Sequence, residues 1–302
     1  MHIQNADYIK NFDDSIIKDV FCHHNGNAFP KASVVIVTYN NKEPLLDTLN
    51  ALKNQTIPNF EVVVIDNNDK LLVTEFIIKH NVTYIKLKEN YGLSVGRNAG
   101  IKFAKGEIVI FLDDDAIPAN NFVEEHITAH ERYDIFGLRG KSLPKTKSIY
   151  NHLTSHYDLG EQVIPHHINL EGNSSFKKDF LLKIGGFNPK LQGAGGYEGV
   201  EITMRAMLQY KDKTKFIYIP NAIIYHDFST TFAKYIKKRL RHAQHKKILE
   251  SEFPDILLFC KEYSPAASIK KNSLTLFEQI ALKAIKLLAK IICMRYGGDE
   301  HD

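Results

Sequence analysis

The chain has 302 residues, 44% hydrophobic and 25% charged, with a net charge of +4. That composition excludes a fibre and a disordered chain, and so small a charge argues by itself for no particular partner. Cys22, Cys260 and Cys293 lack metal-ligand spacing and read as reduced thiols of a cytoplasmic protein. No uninterrupted apolar run approaches the roughly 20 residues that span a bilayer, and the opening MHIQNADYIKNFDDS has no basic-then-apolar leader pattern.

Residues 1–31 are polar and read as an N-terminal extension. ASVVIVTYN then predicts a strand over 33–37. In EPLLDTLNALKNQ, Leu45, Leu46, Leu49 and Leu52 share one helical face, with Pro44 suited to the first turn. FEVVVIDNND predicts a second strand ending at Asp66 and Asn67. TYIKL predicts a third, followed by a helix that Ser94 is expected to cap and Gly106 to end. A fourth strand, in GEIVIFLDDDAIP, runs five apolar residues straight into Asp113, Asp114 and Asp115. Three adjacent carboxylates repel one another unless a cation sits among them.

Alternating strands and helices imply a mainly parallel sheet with helices on both faces, whose ligand crevice lies at the carboxyl ends of the strands. Thr38, Asp66 and the Asp113 to Asp115 cluster all fall there. Beyond about residue 135 the pattern becomes mixed. INLEGNSSFKKDFLLKIGGF predicts a strand and a short helix stopped by Gly185 and Gly186, and GAGGYEGVEITMRAMLQYKD a glycine-rich loop entering a helix. KFIYIPNAIIYH predicts a strand pair leading to His226.

The motifs VVIVTYNN, VVVIDNN, NYGLSVGRNAGIKFAKGEIVIFLDDD, GNSSFKKDFLLKIGGF, YEGVEITMR and IPNAIIYH, in that order, resemble the family 2 glycosyltransferases of the GT-A fold. The resemblance covers about residues 32 to 245. It implies an α/β GT-A fold, a mixed, mainly parallel sheet flanked by helices, with a C-terminal helical appendage. It also implies a GT-A catalytic domain over 32–230, split into a nucleotide-binding half 32–118 and an acceptor half 119–230, before a tail over 231–302.

The expected activity is metal-dependent transfer of a sugar from a nucleotide-diphosphate donor, a UDP-sugar favoured, to a glycan or lipid-linked hydroxyl. The setting implied is surface polysaccharide or glycoconjugate biosynthesis. Diphosphate departure develops negative charge, which a divalent metal on carboxylates stabilises, and hard oxygens suit Mn²⁺ or Mg²⁺. By the resemblance, Asp115, Asp113 and His226 hold that metal in a DXD-type motif. Thr38, Tyr39, Asn40, Asp66, Asn67, Arg97, Asp113 and Asp114 line the donor site, and Glu198 and Glu201 are the catalytic candidates.

One departure stands out. Inverting members commonly carry Glu-Asp where this chain has Glu198-Gly199, so the usual base is missing; Glu198 or Glu201, three apart on one helical face, could substitute, or both could only cap and orient the helix. The stretch also resembles the Glu-Asn-x-Glu segment of the retaining polypeptide GalNAc-transferases; inversion is the favoured outcome. Glycines 193, 195, 196 and 199 suit a loop that closes over the donor.

Two rival readings exist, the first prompted by the acidic strand end and the second by the missing Asp at Gly199. One is a haloacid-dehalogenase-like phosphatase, which needs Asp113 as nucleophile and a later Lys with an acidic pair. The other is a noncatalytic sugar-nucleotide or membrane-binding module of the same fold.

In the tail, residues 234–247 hold seven Lys or Arg and no acid, and residues 274–298 form an apolar stretch interrupted by lysines. Such a helix either lies on an anionic membrane surface, placing the protein peripherally on its inner face, or packs on the catalytic domain or a second copy in a homo-oligomer. Nothing beyond the basic stretch supports nucleic acid as a partner.

Overall fold

The computed structural model describes residues 7–22, 29–68, 80–154, 156–191, 196–262 and 274–295. Its first half contains strands β1 (Ile17–Cys22), β2 (Ala32–Thr38), β3 (Phe60–Asp66), β4 (Thr83–Leu87) and β5 (Ile108–Leu112). The second half adds β6 (Ile117–Pro118), β7 (Gly137–Leu143), β8 (Ile164–Pro165), β9 (Asn173–Lys177) and β10 (Phe216–Tyr225). All join one sheet in the order β1-β4-β3-β2-β5-β9-β7-β10-β6, with β8 paired to β10. Residues 17–22, inside the span read as an extension, form its antiparallel edge strand.

Helices α1 (Lys42–Leu52), α2 (Leu93–Phe103), α3 (Phe122–Arg132), α4 (Lys178–Ile184) and α5 (Glu198–Tyr210) cover the two faces. The central strands read as unbroken apolar runs because alternate residues enter different cores. Val34, Ile36, Val62, Val64, Ile108 and Ile110 pack on one side with Leu45, Leu49 and Leu52 of α1. Val35, Val63, Ile65, Val109 and Phe111 pack on the other with Ala99, Ile101, Phe180 and Ile202. Burying each such side chain contributes roughly 1.5–3 kcal/mol.

Strands β4, β3, β2 and β5 are mutually parallel. Strand β9 runs antiparallel to both β5 and β7, and β10 runs parallel to β7. The carboxyl ends of β2, β3, β5, β7 and β10 therefore share one edge with the start of β9. Asn173 fixes this insertion: its amide donates to Lys141 O and Ala222 O, each at 2.9 Å, while its Oδ1 meets His126 Nε2 at 3.1 Å. The expected strand pair over residues 215–226 is one strand, β10, whose register against β7 shifts between Tyr218 and Ile223, where Pro220 removes a backbone donor.

The cap expected at Ser94 falls elsewhere. Gly92, at φ 87, is the N-cap of α2, and the Ser94 hydroxyl donates to Leu191 O at 3.0 Å, while the helix ends at Phe103 rather than at Gly106. Helix α4 stops as expected at Gly185, which takes a left-handed conformation. The tail forms α6 (Phe232–Glu252), α7 (Ile256–Glu262) and α8 (Leu276–Arg295). Leu249 and Ile256 pack on Leu191, Val200 and Met204, so the start of the tail is anchored on α5.

Helix α2 lies tight on β2 because Gly100 carries no side chain: a Cβ there would come within 2.2 Å of Val35 Cγ1. Gly100→Ala is expected to cost about 1–3 kcal/mol in urea unfolding. Unchanged stability would mean that α2 does not sit this close to the sheet.

Candidate active site

The sequence puts three consecutive carboxylates just past β5, and the fold separates their roles. Asp114 turns inward. Its Oδ2 accepts from Thr38 Oγ1 at 2.6 Å and its Oδ1 from Asn41 Nδ2 at 2.9 Å, while Thr48 Oγ1 donates to Ala116 O at 2.8 Å. Burial pushes the Asp114 carboxyl up to about 7, against those two hydrogen bonds and with help from the charges of Asp115 and Asp113. This residue ties the end of β2 and the start of α1 to the acidic turn.

Asp115 turns the other way, its Oδ1 lying 3.2 Å from His226 Nε2. Burial works against the charge on both partners. For Asp115 burial is the largest single influence, and the hydrogen bond and charge of His226, joined by the charge of Lys145, together exceed it and hold the carboxyl below its usual range. For His226 the Asp115 contact, with Asp113 behind it, outweighs burial and raises the imidazole. His226 directly follows β10; its backbone N–H donates to Leu143 O at 2.9 Å, and Tyr157 Oη lies 3.4 Å from its Nδ1. Asp113 lies against the backbone of Gly172, where a Cβ would fall 1.9 Å from Asp113 Oδ2, so any larger residue there would displace the Asp113 carboxylate.

Asp113, Asp115 and His226 each present one ligand atom, all within 4.8 Å of one another. Two hard carboxylate oxygens and one imidazole nitrogen fit Mn²⁺ or Mg²⁺, and the mutual repulsion of the carboxylates favours a cation between them.

These residues open onto a cavity of about 820 Å³ whose walls include Thr38, Tyr39, Asn67, Arg97, Glu198 and Lys238. Asn67 shapes the rim by donating to Gly92 O at 3.0 Å. Arg97 is buried with its guanidinium over Phe187, 5.4 Å to the ring centroid, and its Nη1 has no hydrogen-bond partner. Glu198 is buried too, and its Oε1 is likewise without one. Burial, reinforced by the charge of Glu171 and opposed by that of Arg97, raises the Glu198 carboxyl well above its usual range. Arg97 Nη1 and Glu198 Oε1 are thus two unpartnered buried polar atoms on residues of one cavity wall, and each calls for an explanation.

Three expected residues lie apart. Asp66 ends β3 as anticipated, but it is buried, accepts a hydrogen bond from the Tyr84 hydroxyl, and is not among the cavity walls; burial raises its carboxyl, partly countered by Tyr84 and Lys86. Asn40, at φ 54, has its Oδ1 bonded to Asn68 Nδ2 at 2.5 Å. Glu201 faces the protein interior, where its carboxylate takes two hydrogen bonds from Arg205, at 2.7 and 2.9 Å. The same guanidinium reaches Ile184 O and Gly186 O. Glu198 and Glu201, three residues apart on α5, thus serve different surroundings.

Sequence reasoning missed Glu171, whose Oε1 accepts the Gly199 N–H at 2.8 Å beside Glu198. A Cβ at Gly199 would meet Ile168 O at 2.8 Å, so the position where an aspartate was expected has room only for glycine. It also missed Tyr157 and Lys238. Arg139, fully buried, holds the Tyr157 loop through His156 O at 2.5 Å and Tyr157 O at 3.1 Å, and Lys238 sits over the Phe228 ring at 4.1 Å. Glycines 193 and 195 lie outside the described residues; Gly196 is fastened by its carbonyl to His245 Nδ1 at 2.8 Å.

Residues 33–188 match the family described as Glycosyl transferase family 2. Among curated proteins, the chain is 35% identical over 125 residues to the uncharacterized glycosyltransferase YfnE of Bacillus subtilis, covering 40% of this chain and 32% of that protein. It is 33% identical over 133 residues to the poly(ribitol-phosphate) β-N-acetylglucosaminyltransferase TarP of Staphylococcus aureus, covering 40% and 41%. The chain therefore spans less than half the length of these two relatives.

Among solved structures, the mannosyltransferase PcManGT of Pyrobaculum calidifontis, in complex with GDP-Man and Mn²⁺, aligns with TM-score 0.54 at 20% identity over 93% of this chain and 86% of that one. Residues 1–349 of S. aureus TarS with UDP-GlcNAc align at TM-score 0.51 and 19% identity, covering 86% and 79%. The fold is the GT-A fold that the motifs implied.

Because its folded-state carboxyl is raised, Asp114 holds a proton that the unfolded chain releases between about pH 4 and 7, so its contribution to stability falls as pH rises through that window. Asp114→Asn is expected to flatten the metal-free melting temperature across that window relative to the parent. Parallel profiles would contradict the inward, desolvated placement.

Proposed function

The chain belongs to glycosyl transferase family 2, and from that membership we propose a metal-dependent transferase that moves a sugar from a UDP-sugar to a hydroxyl of a glycan or lipid-linked saccharide. The observation that carries the reading is the juxtaposition in one cavity of the Asp113, Asp115 and His226 triad with Arg97 and Glu198, whose Nη1 and Oε1 have no hydrogen-bond partner. The complexes of TarS with UDP-GlcNAc and of PcManGT with GDP-Man and Mn²⁺ support the donor class and the metal. Membership in this family displaces the phosphatase reading.

In this proposal Asp113, Asp115 and His226 hold Mn²⁺ or Mg²⁺, which when bound stabilises the charge that develops on the departing diphosphate. Thr38, Tyr39 and Asn67 border the nucleoside, and Arg97 Nη1 donates to the diphosphate. Glu198 takes the proton of the acceptor hydroxyl as that oxygen bonds to the anomeric carbon and the carbon–phosphate oxygen bond breaks. One displacement inverts the centre. Glu171 raises the basicity of Glu198 by its charge and holds the Gly199 N–H, which fixes the start of α5. Glu201 acts through Arg205 as a positioning residue for the same helix.

The test is a donor screen that follows release of nucleoside diphosphate in the presence of acceptor. UDP release that needs Mn²⁺ or Mg²⁺ and stops with a chelator is the expected result. Donor binding without turnover across all acceptors would favour a noncatalytic module.

Glu198→Gln should lower kcat by about 10²–10⁴-fold while leaving donor binding intact, as loss of a general base does. The parent's kcat/KM should fall on the acid side at a pH above the ordinary carboxylate range, since the base must be deprotonated and its carboxyl is raised. An active Glu198→Gln enzyme would move the base elsewhere.

A further inference from the structure

The last helix has two unlike faces. Leu282, Ala289 and Cys293 of α8 are buried, and the helix packs on α6 and on the 3₁₀ turn Ile149–Leu153. On the opposite side Leu276, Phe277, Ile280, Leu287, Leu288 and Ile291 are exposed, Phe277 to 80% and Leu276 to 73%. At about 100° per residue these six fall within an arc of roughly 120°, the width of a face that should be covered.

Lys283, Lys286 and Lys290, all exposed, line one margin of that arc. The only acid of the helix, Glu278, is drawn away from it, accepting from the Thr275 N–H and hydroxyl at 2.8 Å each. No described helix is long and apolar enough to cross a membrane.

We propose that α8 lies in the headgroup layer of an anionic lipid bilayer, with Phe277, Ile280, Leu287 and Leu288 inserted and Lys283, Lys286 and Lys290 at the phosphates. The charge pattern selects this occupant. A row of lysines beside an apolar arc with no acid meets its complement in a surface that is apolar inside and negative at its rim. A second copy seated on the same face would supply no acid from its own arc to meet the lysines.

The position of the helix gives the surface a use. The turn Ile149–Leu153 that backs α8 also contributes Leu153 to the cavity wall, and α6, its other support, contributes Tyr235 and Lys238. A bilayer held by α8 is therefore held by the same elements that wall the cavity, where a hydroxyl on a membrane-borne acceptor would be presented. The inference stands without the glycosyl-transfer reading, since it concerns binding alone.

The test is flotation of the full-length chain with vesicles of phosphatidylcholine, alone or mixed with phosphatidylglycerol. Binding to the mixed vesicles only, weakened by raised salt, is the expected result. Phe277→Ser with Leu287→Ser, and separately Lys283→Gln with Lys286→Gln and Lys290→Gln, should each weaken it about tenfold or more. All these side chains are exposed, so the melting temperature should stay unchanged. Absence of flotation with the mixed vesicles, or flotation that the substitutions leave untouched, would overturn the proposal. So would a dimer in sedimentation equilibrium that Phe277→Ser with Leu287→Ser dissolves, because a second copy would then cover the face.

Discussion

Three neighbouring carboxylates cannot all remain charged and close without compensation, and the architecture around the end of β5 is organised by that repulsion. Asp114 is withdrawn into hydrogen bonds from Thr38 and Asn41 and is held toward its neutral form. Asp115 is matched with His226, which is delivered from the far side of the sheet at the end of β10. Asp113 faces the backbone of Gly172 so closely that a side chain there would displace its carboxylate. What is left between Asp113, Asp115 and His226 is a small negative space suited to a divalent ion.

This arrangement depends on the reversed strand. Because β9 runs against β5 and β7, its first residues return to the edge where the parallel strands end, bringing Glu171 and Gly172 beside the acidic turn. Asn173 then pins four elements together by its single side chain, and Glu171 reaches forward to the first turn of α5. Helix α5 has one glutamate on each side of this boundary. Glu198 lines the cavity with its Oε1 unpartnered, and Glu201 is consumed by Arg205 inside the protein.

The parallel half was legible because burial on both faces writes continuous apolar runs, and each run ended on the polar residues that line or support the site. The cluster at Asp113 to Asp115 and its late partner His226 were likewise visible as residue types in a recurring order. The division of labour within the cluster was not, since it depends on which carboxylate meets Thr38 and which meets His226, contacts made across 76 and 111 positions of chain. The same holds for Glu171, whose bond to Gly199 is set by tertiary packing, and for Ser94, whose capping potential lost to a glycine at positive φ two residues earlier. Asp66 illustrates the reverse case: the strand end was placed correctly, while Tyr84, its partner on the next strand, took up the carboxylate.

The central claim is that the repulsion at the end of β5 is resolved by a divalent ion that in turn receives a nucleoside diphosphate. Calorimetric titration of UDP into the purified chain, with and without Mn²⁺, and again on Asp115→Ala, tests it most directly. The account predicts binding that requires Mn²⁺ and disappears in Asp115→Ala while the variant remains folded. Equal UDP affinity with and without the ion, or unchanged affinity in the variant, would contradict it.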